Sequence, residues 1–237
     1  MINFNGVSLE SIAPVKIEDI RVSPIQLNPV TRPRAIRFGS EFVRMGGGTR
    51  TVSVTFALPV MNQISRHESL LALSQWAKTD QEYKLELPID PHRYLECVCT
   101  SKPEPSTRQW WESKLRLVFT CFSNPYWTSI KEKSVSCGNP FYVLGDAPPL
   151  MKITRSVSLS PETDQSYSSF GNTMTFSTIP VGQMTIDLNK QTAYSVGTLV
   201  VTNLMQYYNP SGRFIIPRTG TQTITGTGTI KYRERFE

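Results

Sequence analysis

The segment RTVSVTFAL, residues 50–58, alternates apolar and small polar side chains with a period of two. Val52, Val54 and Phe56 fall on one face, and the threonine and serine residues between them fall on the other. This alternation predicts a β-strand with one buried face and one solvated face. The glycine triplet before it predicts a flexible turn, because a phosphate-binding loop needs a following helix and a lysine that are both missing here.

One helix is predicted after this strand. Ser65 and Glu68 have the spacing of a capping box, which marks a helix start. After this start, apolar side chains recur at helical spacing: Leu70, Leu71, Leu73, Trp76 and Ala77. We therefore expect a helix from about residue 65 to about residue 78, with its apolar stripe against the core.

Strand patterns dominate the rest of the chain. EYKLELPI (82–89) and YLECVCTSK (94–102) predict a hairpin around the turn DPHR, and WWESKLRLVFTCF (110–122) predicts a further strand. Residues 131–148 have the mixed, proline-ended composition of a linker. Beyond them, short strand-like runs alternate with turn signals, as in an antiparallel sandwich. The sequence predicts a mainly β protein: a β-sandwich-like domain with one α-helix (1–130), a linker (131–148) and a second β-sandwich (149–237).

Threonine occupies every second position of TGTQTITGTGTI, residues 219–230. The simplest interpretation is the solvent face of a late strand, with Ile224 and Ile230 turned inward. Gly226 and Gly228 predict a bend or bulge in that strand. A flat threonine array could also bind sugar hydroxyls, but the sequence shows no second threonine run to widen it.

The net charge of +6 is spread evenly, which argues against a dedicated nucleic-acid-binding domain. Residues 32–50 are the exception, with five arginines against Glu41 alone. They predict either a solvated loop or an electropositive rim that meets a partner or a polyanion. No apolar run is long enough for a membrane helix, so we expect no membrane insertion.

The sequence gives no sign of an active site, and we expect no enzyme activity, metal or cofactor. His67 and His92 lack a nucleophile motif beside them. The near pairs Asp80/Glu82 and Glu162/Asp164 lie in predicted loops, where carboxylates are usually solvated. Of the four cysteines, Cys97, Cys99 and Cys121 are interpreted as small buried hydrophobes, because no zinc-ligand spacing is present.

The order of these features resembles the distal tail protein family of long-tailed bacteriophages. The features are INFNGVSL at the start, RTVSVTF after a glycine turn, LLALSQWAK in the helix, LVFTCFSNPYW closing the first half, MTIDLNKQTAYSV, and FIIPRTGTQTITGTGTI near the end. The turn MGGGT departs from the glycine–aspartate–glycine turn expected of the family.

The resemblance implies a structural virion protein made in the bacterial host cytoplasm and placed at the tail tip. Its N-terminal domain would form a homo-hexameric ring, and a galectin-like C-terminal domain would project outward. The ring would join the tail tube to tail-tip, baseplate and receptor-binding components, while DNA passes through its channel without specific binding. A different hypothesis is a carbohydrate-binding module that acts in attachment to the host surface.

A ring needs two different surfaces on each subunit, and strand edges can supply them. We expect the strand around residues 52–56 and the stretch before it to form that interface. The ring-interface candidates are Arg37, Phe42, Arg44, Val52, Val54 and Phe56.

Overall fold

The computed structural model describes residues 1–33, 40–59, 62–101, 104–105, 113–197, 201–209 and 213–237. Of residues 28–33, 40–47, 104–105 and 113 it describes the backbone only. The chain divides into an N-terminal unit, Met1–Trp127 together with Glu237, and a C-terminal unit, Thr128–Phe236. Both are built mainly from antiparallel strands, so the predicted mainly β fold class is confirmed.

The N-terminal unit contains nine strands and two helices in its described residues. These are β1 (Asn3–Phe4), β2 (Val7–Ser8), α1 (Leu9–Ile12), β3 (Lys16–Val22), β4 (Gln26–Pro33), β5 (Ser40–Leu58), α2 (Gln63–Ala77), β6 (Tyr83–Leu87), β7 (Asp90–Cys99), β8 (Glu104–Pro105) and β9 (Ser113–Cys121). Neighbouring strands follow the order β3–β5–β9–β7–β6–β1–β2. In addition, β4 pairs with β5, and β8 pairs with β9. A further strand, β10 (Trp127–Ser129), lies at the boundary between the units.

Helix α2 begins two residues earlier than predicted and has a different cap. The side-chain oxygen of Asn62 accepts a hydrogen bond from the backbone N–H of Ser65 at 2.8 Å. Asn62 therefore caps the helix, and the predicted Ser65/Glu68 capping box is wrong. Asparagine is among the strongest N-cap residues because its short side chain reaches the free N–H groups of the first turn.

An aromatic cluster holds α2 against the strands. The Phe4 ring lies in edge-to-face contact with Trp76 at 5.6 Å and with Phe119 at 5.0 Å, measured between ring centroids. The indole N–H of Trp76 also donates to the backbone oxygen of Val7 at 3.1 Å. Such aromatic pairs contribute about 0.5–1.5 kcal/mol each beyond their buried area. The cluster thus joins β1, α2 and β9 in one core.

The hairpin predicted from residue 82 is confirmed, with a shifted turn. Tyr83 pairs with Cys97 and Leu85 with Leu95 across β6 and β7. The turn occupies Pro88 and Ile89, whereas the predicted turn residues DPHR already belong to β7.

The C-terminal unit is a two-layer arrangement of strands. It contains β11 (Lys133–Ser136), β12 (Phe141–Val143), β13 (Ala147–Val157), β14 (Glu162–Ser169), β15 (Asn172–Ile179), β16 (Gly182–Asp187), β17 (Thr192–Val196), β18 (Val201–Asn203), β19 (Gly220–Gln222) and β20 (Thr229–Phe236). One sheet runs β18–β17–β16–β13–β20–β11. The pairs β12–β19 and β14–β15 supply buried side chains to the same apolar core from outside that sheet. A 3₁₀ turn, Leu204–Tyr207, is the one helical element here among the described residues, and the sequence analysis did not predict it.

The predicted linker at residues 131–148 is wrong, because these residues form part of the C-terminal unit. Strand β11 pairs with β20, and β12 pairs with β19. Phe141, Val143 and Ala147 are buried. The buried carboxylate of Glu234 accepts from Lys133 Nζ at 2.7 Å and from the Leu144 backbone N–H at 2.9 Å, so it fixes this segment against β20.

Most threonines of residues 219–230 face solvent as predicted, but the segment does not form one continuous strand. Its threonines from Thr219 to Thr227 are exposed, while Ile224 and Ile230 are fully buried. Gly226 and Gly228 have φ values of 124° and 130° and bend the chain between β19 and β20. The predicted bend is therefore confirmed. It allows the hydroxyl of buried Tyr167 to donate to the Thr227 backbone oxygen at 3.1 Å.

We expect Gly226→Ala to destabilise the C-terminal unit strongly. A Cβ at this position would lie 2.5 Å from Tyr167 Cδ1, and the positive φ adds backbone strain. The two costs together amount to about 3 kcal/mol of unfolding free energy. Gly171→Ala is the matched control, because Gly171 also has a positive φ but has no atom within 4 Å of the added Cβ. It should cost about 1 kcal/mol. Urea denaturation followed by circular dichroism measures both, and equal losses would contradict the packing argument.

Candidate functional site

The central part of β5 is paired on both edges within the chain itself. Val54 pairs with Ile20 of β3 on one side and with Leu117 of β9 on the other. The side chains of Val52, Val54 and Phe56 are almost completely buried. Since no edge is free over these residues, they are not available for the sheet addition that the sequence analysis expected. A role of these side chains in a subunit interface stays a prediction.

The other half of β5 has a different environment. Residues 40–49 pair with β4, from Pro33↔Ser40 to Gln26↔Thr49. In the described residues, β4 has no other strand partner, and β3 and β9 pair with β5 only from residue 50 onward. We call Gln26–Pro33 and Ser40–Thr49 the arm. Among the described residues the arm is a two-stranded ribbon, and such ribbons are marginally stable alone and can pair with a further strand at their edges.

The composition of the arm agrees with an open edge. Pro29 and Pro33 both lie in β4, and proline is confined to edge strands because it cannot donate to a ladder. The register shifts twice along the arm, and such bulges are common at sheet edges.

The predicted interface residues divide between the arm and its surroundings. Phe42 and Arg44 lie in the arm, where the structure describes their backbone only, and Arg37 lies outside the described residues. In the backbone register of the arm, Arg32 lies opposite Glu41. Arg50, included in the predicted electropositive rim, lies in the middle of β5 just after the arm and is buried, so it is not part of an exposed rim.

A second surface lies on the C-terminal unit, on the outer side of the β14–β15 hairpin. Ser166 Oγ and Thr175 Oγ1 are 3.1 Å apart, and Ser168 Oγ and Thr225 Oγ1 are 2.7 Å apart. The side chains of Tyr167, Met174 and Phe176 point the opposite way into the core. We call Ser166, Ser168, Thr173, Thr175 and Thr225 the hydroxyl face.

The hydroxyl face is not evident from a pattern of threonine alone, because half of its strand positions are serine. The signal was present as Ser166-x-Ser168 and Thr173-x-Thr175-x-Ser177 in SYSSFGNTMTFST. The pairing Ser168↔Thr225 brings these positions beside the threonine run. The sequence indeed lacks a second threonine run, but serine and threonine hydroxyls of β14 and β15 widen the array beside Thr225.

The C-terminal unit also has a shallow aromatic pocket of about 440 Å³. Its described lining includes Tyr208 and Phe214, whose ring centroids are 5.0 Å apart, together with Arg213 and Gln191. Gln191 adopts a φ of 53°, a conformation that is uncommon for a residue other than glycine.

The acidic pairs considered in the sequence analysis have structural partners. Glu82 Oε1 accepts the backbone N–H groups of Phe122 and Ser123 at 2.7 and 2.9 Å. Glu162 forms an ion pair with Arg155 at 2.5 Å. Glu82 holds the chain that follows β9. Glu162 and Asp164 lie on strand β14, not in the predicted loop.

The described residues hold neither a metal-ligand cluster nor a membrane-spanning helix. In the part of the chain that the structure describes, no group of three or more histidine, cysteine, aspartate or glutamate side chains could hold a metal ion. Among the same residues, no helix has the length and apolar character of a membrane span. His67 lies on α2 and His92 on β7, and both are exposed.

Comparison with solved structures finds a match that covers the whole chain. No protein-family model matches the sequence, and no curated protein matches it. The crystal structure of phage SPP1 Dit, described as a paradigm of the hub adsorption apparatus in phages that infect Gram-positive bacteria, matches with a TM-score of 0.75. The alignment covers 100% of this chain and 98% of that chain at 14% identity. The chain shares the fold of a phage hub protein.

The resemblance seen in the sequence is thereby confirmed at the level of the fold. Two structures of the activated phage p2 baseplate, with strontium and with calcium, also align over 93% of this chain and 90% of theirs. Their TM-score is 0.48 and their identity 10%.

We expect Val54→Pro to unfold the N-terminal unit rather than to release folded monomers from an assembly. Proline removes a ladder hydrogen bond in the middle of a strand that is paired on both edges. The buried carbonyl left without a donor costs about 1–3 kcal/mol, and the proline ring adds a steric clash. Val54→Ala is the control, because it keeps both ladders and shortens the side chain only. Far-UV circular dichroism with urea denaturation compares them. A folded, soluble proline variant would show that the double pairing of β5 is not needed.

Proposed function

We propose that this protein is a hub component at the distal end of a long-tailed phage tail. The observation that carries the proposal is the fold match to the SPP1 hub protein over the whole length of both chains. A shared β-sandwich alone would align one unit only. Here the N-terminal unit with its helix and the C-terminal unit both match, in the same order along the chain.

We further propose that the subunits assemble into a ring. The arm supplies open strand edges, and a head-to-tail ring needs two different surfaces on each subunit that fit each other. We place the ring contacts on the arm and on the surface that receives it in the next subunit. The hexameric number follows from the family resemblance.

The partners follow from the same proposal. The N-terminal ring contacts the tail tube, and the C-terminal unit carries tail-tip, baseplate or receptor-binding components. The arginine-rich stretch from residue 32 to residue 44 favours an acidic protein surface or a channel through which DNA passes. Because every phosphate contact adds affinity, a DNA conduit requires few of them, and we propose no specific DNA binding. The protein is then made in the host cytoplasm and ends in the virion tail.

The alternative hypothesis, carbohydrate binding in host attachment, has the aromatic pocket and the hydroxyl face in its favour. Sugar-binding sites usually combine an exposed ring with several polar groups, as Tyr208, Arg213 and Gln191 could provide. The structural comparisons do not favour it. A glycan array with the purified protein tests it, and the absence of binding removes it.

We expect the purified chain to assemble into a six-subunit ring with a central hole. Light scattering gives the mass in solution, and negative-stain images give the shape. A monomer at every concentration would contradict unaided ring closure, and glycan binding would then be the next measurement.

The arm is tested by replacing residues 27–48 with Asn-Gly. Gln26 and Thr49 are paired, so a two-residue type I′ turn can join them and leave residues 50–58 of β5 between β3 and β9. We expect a folded monomer. The control is Phe170→Asn, which creates Asn-Gly in the existing turn between β14 and β15 and should leave the ring intact. An intact ring from the shortened chain would rule out the arm as the ring contact.

A further inference from the structure

Cys97 and Cys121 lie opposite each other on neighbouring strands. Strands β7 and β9 are antiparallel, with Val98 opposite Thr120 and Cys99 opposite Phe119. The same register continued by one residue places Cys97 opposite Cys121, which is the last residue of β9. Side chains of directly opposite residues point to the same face of an antiparallel pair.

Their surroundings agree with this register. Both cysteines are fully buried, and the neighbouring Cys121 thiol raises the pKa of Cys97. On its other edge, Cys97 pairs with Tyr83 of β6, and Cys121 pairs with Arg50 of β5. The two thiols therefore meet inside the N-terminal core and are not a chance contact at a surface.

The spacing of such a pair suits a covalent bond. Opposite residues of an antiparallel pair have Cα atoms about 4.5–5.5 Å apart. Disulfides span Cα separations of roughly 4.4–6.8 Å. The Cα spacing expected for opposite residues therefore falls within the disulfide range, and in this structure both cysteines are free thiols.

We propose that Cys97 and Cys121 are a cross-strand disulfide site that closes when the protein meets a disulfide oxidant. One thiol loses its proton and attacks a sulfur of the oxidant, which releases one thiolate. The second cysteine then attacks the mixed disulfide, forms the Sγ–Sγ bond and releases the other thiolate. With oxidised glutathione, two protein thiols and one oxidant become one protein disulfide and two glutathione thiols. This site does not depend on the proposed tail-tip role.

The other two cysteines are poorly placed for the same bond. Cys99 is two residues from Cys97 on the same strand, and its thiol donates to the Ser101 backbone oxygen at 3.3 Å. Cys137 belongs to the C-terminal unit. A disulfide formed selectively between Cys97 and Cys121 would therefore show that the fold positions this pair, because random oxidation would also involve Cys99 and Cys137.

The burial of the pair determines how fast it reacts. The neighbouring Cys121 thiol and the burial of the Cys97 thiol raise the pKa of Cys97 far above its ordinary value. The thiolate is the reactive form, so the closed core protects the pair. Oxidation then passes through local opening of β7 and β9, and its rate should rise steeply with temperature or mild denaturant.

The test uses the full chain and oxidised glutathione. The protein is incubated with the oxidant at low urea and returned to buffer, and its disulfides are mapped by mass spectrometry of non-reduced peptides. We expect a link between Cys97 and Cys121, a loss of two free thiols, and a Tm several degrees above that of the reduced chain.

Two variants make the assignment specific. Cys121→Ala should lose the link and the rise in Tm, and glutathione should remain attached to a single cysteine. Cys137→Ala should behave as the unchanged chain. The proposal is overturned if Cys97 and Cys121 both stay free, or if the mapped link involves Cys99 or Cys137. The mapping on the unchanged chain decides the question even if the Cys121 variant fails to fold.

Discussion

Strand β5 is hydrogen-bonded along both edges from Val52 to Ala57, and the N-terminal unit depends on this double pairing. It aligns the inward side chains of β5 with those of β9, so that Val54 lies beside Leu117 in the core. It also fixes where the regular sheet ends, because neither β3 nor β9 pairs with β5 before residue 50. The arm exists because β5 is longer than both of its neighbours, and β4 alone covers the excess.

The same strand pattern therefore has two consequences. Where β5 has neighbours on both sides, its edges are satisfied and its apolar face is buried. Where the described residues give it only β4 as a partner, β5 lies in a two-stranded ribbon, the kind of edge to which a further strand can add. Residues 40–49, where we propose that assembly takes place, and residues 52–57, which are paired on both edges, both belong to strand β5.

In the C-terminal unit, alternating side chains on β14 and β15 separate a buried core from an outer face of hydroxyl groups. Tyr167 and Met174 fill the core, while their neighbours on β14 and β15 present hydroxyl groups outward. The bend at Gly226 brings Thr225 against Ser168 and leaves room for the Tyr167 ring. The arrangement gives an outer face of hydroxyl groups over a tightly packed core.

The sequence by itself determined the mainly β fold, helix α2, the hairpin from Tyr83 and the inward positions of Ile224 and Ile230, because alternation and helical spacing are local properties. Register and partners are not local, and only the tertiary structure decided them. The pattern of Val52, Val54 and Phe56 fits an edge strand and a central strand equally well. Likewise, residues 131–148 resemble a linker until β20 pairs with them. Ser168 meets Thr225, and Cys97 meets Cys121, through strand pairing between distant parts of the chain, which no local pattern encodes.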